Sequence, residues 1–223
     1  MMQNYFRRSI MFLYFNGCSY TQGKGCEDRV QQRFSTIVSN HLGADHYNDA
    51  KSGSSNDGIV YRTYEWMNKN TCDHAIILMT HSARMDLNSR LIPGPLLYQD
   101  NDERNTKLFY DNFYDDNVGA INFYKNRLLL EQLFERKGIP LLLLQYLPVQ
   151  GEDDNPFKKM CNGDLPLVSK SVWNLSSKKT ILGISKNKKY YWSEKEKKGI
   201  GHFNYKGHEK LADWIIDKLT STI

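Results

Sequence analysis

Apolar and polar positions fall along the chain in blocks that read as strand, helix, strand, helix. Ile10 to Asn16 is a short apolar and aromatic run closed by Gly17, the pattern of a buried strand. From Val30 to Leu42 the apolar positions take helical spacing (Val30, Phe34, Ile37, Val38, Leu42), and Gly43 ends the run. His46 to Ala50 reads as a short second strand. Asn56 to Met67 repeats the helical pattern through Ile59, Val60, Thr63, Tyr64 and Met67, and Ala75 to Met79 is a third strand. Val118 to Arg136 is a long helix closed by Gly138. Pro140 to Leu147, the most apolar run, reads as a central strand, and Tyr205 to Leu219 is an amphipathic last helix. This alternation predicts a three-layer α/β/α sandwich on a parallel sheet.

Two stretches break the alternation. Met85 to Asn117 is polar, rich in Asp and Asn, and interrupted by Pro93-Gly94-Pro95. A long irregular insert of this kind is usually a functional or mobile loop. Asn155 to Lys198 fits no element cleanly and reads as a lid over the sheet's edge. No Pro/Gly/Ser-rich linker divides the chain, so residues 1–223 are expected to form a single domain, large enough to need no disulfide or metal staple.

Composition changes this picture little. Hydrophobic residues make up 40% and charged residues 25%, the balance of an ordinary globular protein. The net charge of +5 is concentrated in the lysine-rich stretch Lys170 to Lys198. That patch could attract nucleic acid, but no arginine-rich helix or aromatic stacking module accompanies it, so a solvated basic loop is preferred and nucleic acid is not expected as a partner. The four cysteines form no CxxC pair, and no metal is expected. Arg7 and Arg8 ahead of Ile10 to Phe15 superficially mimic an export signal. The apolar run is short, however, and Phe15 and Asn16 are wrong for cleavage. No stretch is long and apolar enough for a membrane span. The expectation is a cytoplasmic or virus-encoded protein.

Three segments carry candidate chemistry, each just past a predicted strand or just before a predicted helix. In doubly wound sheets, sites form beyond the carboxyl ends of the strands. The first is Asn16-Gly17-Cys18-Ser19-Tyr20-Thr21-Gln22-Gly23. A serine on a tight strand-to-helix turn can expose its hydroxyl and aim its own N–H at an oxyanion; equally, it can simply cap a helix. The second is Asn48 to Asn56, where Gly53 could bring a backbone N–H close to a ligand, or Ser54 or Ser55 could cap the next helix. The third is His202-Phe203-Asn204-Tyr205-Lys206-Gly207-His208, just before the last helix, where a histidine can reach across to a serine as general base.

Together these segments resemble, in order, blocks I, II and V of the SGNH/GDSL serine hydrolases, in a divergent form of phage or viral type. Gly17, Ser19 and Gly23 match block I, with Cys18 where the family has Asp; Gly53 matches block II; His202 matches the block V histidine. The resemblance implies the SGNH hydrolase fold with a flavodoxin-like parallel sheet. It further implies Ser19 as nucleophile, His202 as base, and oxyanion donors at Ser19 and Gly53. The block III Asn is absent from Met79-Thr80-His81-Ser82-Ala83-Arg84. Thr80 or Ser82 could donate in its place, and Arg84 could bind an anionic substrate group or pair with Asp86. The family's acid stands three residues before its histidine, and here that position is Gly199. Glu194 or Glu196 could substitute, or His202 could act in a dyad. The implied activity is hydrolysis of small acyl esters, with O-acetyl groups on a carbohydrate as the expected substrate and no cofactor. The alternative is a binding protein on the same fold with its chemistry lost.

Overall fold

The computed structural model describes residues 10–87, 90–92, 111–145, 149, 172–174 and 202–221. Five strands form one parallel sheet: β1 (Phe12–Asn16), β2 (Asp45–Asn48), β3 (His74–Met79), β6 (Leu141–Gln145) and β7 (Val172–Asn174). Two short strands, β4 (Met85–Leu87) and β5 (Arg90–Ile92), pair antiparallel beside it. The helices are α1 (Ser19–Gln22), α2 (Phe34–Leu42), α3 (Asn56–Met67), α4 (Asp116–Lys137) and α5 (Tyr205–Thr220). The sheet order is β2-β1-β3-β6-β7. The chain therefore leaves β1 to one side for β2 and returns on its other side as β3. The carboxyl ends of β1 and β3 flank this reversal, where an open α/β sheet forms its crevice.

Side-chain alternation along the strands divides the core in two. Leu13, Phe15, Ile76, Leu78, Leu142 and Leu144 face α2 and α5, meeting Phe34, Val38, Leu211 and Ile215. Tyr14, Ala75, Ile77, Met79, Leu141 and Leu143 face α3 and α4, meeting Ile59, Met67, Phe123 and Phe134. A sheet covered on both faces needs apolar residues at consecutive positions, which is why β3 and β6 read as unbroken apolar runs.

Several element boundaries differ from the sequence expectation. The first long helix starts at Phe34, not Val30, and Val30 is 55% exposed. The Asp28 carboxylate accepts from the amides of Val30 (2.9 Å) and Gln31 (3.0 Å), holding that stretch in a local turn. The second strand stops at Asn48, whose side chain accepts from the Ala50 amide. The fourth helix starts two residues early, at Asp116, because Asp115 caps it. Within the expected insert, β4 and β5 form a hairpin; residues 88–89 and 93–110, including Pro93 and Pro95, lie outside the described residues. Within the expected lid, Val172–Asn174 supplies the fifth strand of the sheet. The rest of Asn155 to Lys198 lies outside the described residues, as do most of the lysine-rich stretch, Glu194, Glu196, Gly199 and the arginines near the N-terminus. Among the described residues no helix is long and apolar enough to cross a membrane.

Candidate active site

β1 delivers the chain to a tight turn. A Cβ at Gly17 would overlap Thr21 Oγ1 and press on the Leu78 carbonyl at 3.0 Å, so only glycine lets the turn lie against β3. The next residue, Cys18, is fully buried in the core between the sheet and α2 and α5. Ser19 opens α1, and its Oγ lies 2.9 Å from His202 Nε2. Gly23, at φ +90°, ends this one-turn helix.

Polar bonds fix the turn from behind. The buried Asn16 side chain accepts from the Gly17 amide (2.7 Å) and donates to Tyr14 Oη, the Ile59 carbonyl and Thr63 Oγ1. Arg62 of α3 donates to Asn16 Oδ1 (3.2 Å), the Gly17 carbonyl (3.3 Å), Ser54 Oγ (2.9 Å) and the Asp49 carbonyl (3.1 Å). One guanidinium thus joins the serine turn to the segment that carries Gly53. The Lys51 amide adds a bond to the Gly17 carbonyl. Burial raises the Asp49 carboxyl above its ordinary pKa, opposed by its bond from Tyr14 and the charge of Arg62.

Gly53 sits at φ +82° in the turn closed by the Ser54 amide on the Lys51 carbonyl. Ser55 caps α3 by accepting from the Gly58 amide at 3.0 Å. The cap expected at Ser54 or Ser55 therefore belongs to Ser55, while Ser54 bonds Lys51 and Arg62. Beyond β3, Asn56 takes both backbone groups of Thr80, accepting its N–H (2.9 Å) and donating to its carbonyl (3.3 Å). Both backbone groups of Thr80 are thus occupied by Asn56. Ser82 is buried and interacts with Tyr114, whose phenol is pushed up to about 12, chiefly by burial and then by Asp116. His81 Nδ1 accepts from the Ala83 amide, and burial and then Arg84 lower its pKa, opposed by Asp116. Arg84 is half-buried, and its Nη1 is buried without a hydrogen-bond partner among the described residues. The Asp86 side chain lies outside the described residues.

His202 precedes α5, which Asn204 caps through the Gly207 amide. Its ring lies 5.0 Å from the Tyr20 ring, tilted by 35°. A Cβ at Gly25 (φ +105°) would come within 2.5 Å of the Phe203 carbonyl and 2.8 Å of His202 Cβ. Glycine at 25 therefore makes room for the histidine loop. His208, one turn into α5, is fully buried, accepts from the Phe34 amide (3.2 Å) and stacks on Phe34. Burial, then the nearby His202, pushes its pKa down to about 4, so at neutral pH it adds no competing charge.

The structure brings Ser19 and His202 together and ties the Gly53 turn to the serine turn. Thr80, Ser82 and Arg84 follow β3 on the same side of the sheet. Sequence reasoning missed Asn16, Tyr20, Arg62 and Asn56. Asn16 did leave a signal, as a polar residue closing an apolar strand.

No protein-family model and no curated protein matches the sequence. Solved structures do resemble this one. A lipolytic protein of the G-D-S-L family from Veillonella parvula shares 14% identity over 94% of this chain and 98% of its own, with a TM-score of 0.55. The esterase EstA from Pseudoalteromonas shares 10% over 94% and 97%, also at 0.55. A carbohydrate esterase shares 15% over 95% of this chain and 65% of its own, at 0.51. The chain has the SGNH/GDSL hydrolase fold, a three-layer α/β/α sandwich on a flavodoxin-like parallel sheet.

Proposed function

We propose that this chain is a serine esterase that hydrolyses small acyl esters, O-acetyl groups on a carbohydrate foremost. The observation that carries the reading is the 2.9 Å contact between Ser19 Oγ and His202 Nε2 at the sheet's switch point. In the tautomer protonated at Nδ1, His202 takes the serine proton as Oγ attacks the acyl carbon. The oxyanion receives the N–H groups of Ser19 and Gly53, with the Ser82 hydroxyl as third donor. Collapse expels the alcohol, which takes the proton back from His202. Water, deprotonated by the same ring, then attacks the acyl-serine, releasing the carboxylate and restoring Ser19. The Thr80 hydroxyl and Arg84 bind substrate; the unpartnered Arg84 Nη1 favours an anionic group there. Two similar structures support the carbohydrate: an esterase active on acetylated mannans, and the carbohydrate esterase already named.

A fluorophosphonate probe tests the mechanism. Wild type should label on one serine, and Ser19→Ala should abolish both labelling and turnover of p-nitrophenyl acetate. His202→Ala should slow both by about 10³-fold or more. Labelling that persists in Ser19→Ala, or an unlabelled wild type, ends the reading.

A second reading, a binding protein without turnover, draws on Gly199 at the family's acid position and on Thr80 and Ser82 in place of the block III Asn. The carbohydrate esterase already named is itself described as having an active site with divergent catalytic and non-catalytic binding functions. Acetylated glycan bound without release of acetate would favour it.

A further inference from the structure

We infer that Tyr20 is a positioning residue for His202. Its ring holds the imidazole with Nε2 on Ser19 and steadies the imidazolium that forms when the serine proton is taken. The chemistry rests on the esterase reading; the placement rests on geometry. Tyr20 follows Ser19 directly within α1, so the nucleophile and the ring share one short rigid segment. The ring is 2% exposed, and at 5.0 Å its centroid is within the range at which an aromatic face attracts a cation. Phe203 also packs against Tyr20 in an edge-to-face arrangement (5.1 Å, 70°), which restrains the tyrosine from swinging aside. The Gly25 backbone closes on His202 Cβ from the loop after α1. Among the described residues, Tyr20, Ser19 and Gly25 lie against His202. At the position where the family carries its orienting acid, this chain has a glycine with no side chain to offer.

The elements around His202 carry Ser19 and Tyr20 on α1, Lys24, Cys26, Glu27 and Asp28 in the loop after it, and Tyr205, Lys206, His208 and Glu209 at the start of α5. His208 comes from α5 and is neutral above about pH 4. The ring of Tyr20 is one group placed directly against His202.

The test uses the full chain as wild type, Tyr20→Phe, Tyr20→Leu and Tyr20→Met, with thermal melts identifying the replacements that fold. Turnover of p-nitrophenyl acetate gives kcat and KM, and NMR titration of the His202 ring, assigned with His202→Ala, gives its proton affinity. Tyr20→Phe should keep kcat within about twofold. The leucine and methionine variants should lose about tenfold in kcat with KM nearly unchanged. Their His202 proton affinity should fall about two- to fivefold, the loss of a cation-binding face. An unshifted His202 titration in a folded leucine or methionine variant overturns the inference, whatever the turnover. So does a phenylalanine variant that falls as far as leucine. A shifted titration in a protein that never turns over ester leaves the role of the ring standing and removes the esterase reading alone.

Discussion

Ser19 and His202 meet at one point but are held there by different forces. The serine turn is fixed by polar bonds: Asn16 on the Gly17 amide, and Arg62 on Asn16, Gly17, Ser54 and Asp49. Around the histidine, close packing is prominent: Tyr20 against the ring, Phe203 against Tyr20, and a glycine at 25 where any side chain would collide, beside the Asn204 cap of α5. A buried bond network loses free energy in steps as partners are removed. A packed loop fails when a single methyl group is added. The two halves should therefore break in different ways.

The largest effect is expected on the packed side. Gly25→Ala should lower kcat/KM roughly 100-fold, the cost of moving a reacting group by about 1 Å. It should also cost roughly 1–3 kcal/mol in backbone strain. Gly43→Ala is the control, since a Cβ there meets nothing within 4 Å. It should cost roughly 1 kcal/mol and spare activity. Equal loss of activity in both variants would mean that strain, not the His202 contact, is being read.

Acid should weaken the same side next. The folded pKa of His208, about 4, lies below the 6.5 of an unfolded histidine. As pH falls, the unfolded chain takes up the proton first. Stability is thus full above about pH 6.5 and drains toward pH 4, by roughly 3 kcal/mol. Urea midpoints across that window should fall in wild type and flatten in His208→Asn, whose side-chain oxygen can still accept from the Phe34 amide.

The polar side should yield more gradually. Arg62→Ala should cost roughly 2 kcal/mol in urea melts and about tenfold in kcat/KM. Arg62→Lys should recover less than half of either, because an ammonium cannot reproduce the fork that spans both segments. Full recovery by lysine would reduce Arg62 to a charge. The smallest effect belongs to Ser55→Ala, which removes the α3 cap at roughly 1 kcal/mol and leaves kcat/KM within about twofold.

The same contrast explains what the sequence revealed. Elements with an apolar period were legible: Asn56–Met67 has the bounds that its spacing predicts. Ser19, Gly53 and His202 stood out because they sit at strand and helix ends beside glycines. Arg62 and Asn56 did not, because a polar residue on a helix looks the same whether it faces water or clamps a loop. Only the fold shows that Asn56 reaches the backbone of Thr80, 24 positions away. Tyr20 was hidden for another reason. An aromatic residue beside a candidate nucleophile reads as core until the distant partner of its ring is known. The start of α2 was misplaced because the Asp28 side chain takes amides that the apolar period would have given to a helix.

The Ser19–His202 contact joins positions 183 apart. Loop closure across such a span is entropically unfavourable until the strands between them are paired, and contacts of this kind slow folding. The pair can meet only once β1 and β3 lie side by side and α5 has docked beside α2. Formation of the Ser19–His202 contact after refolding is thus a clock for completion of the whole topology, running behind any signal from helix content alone.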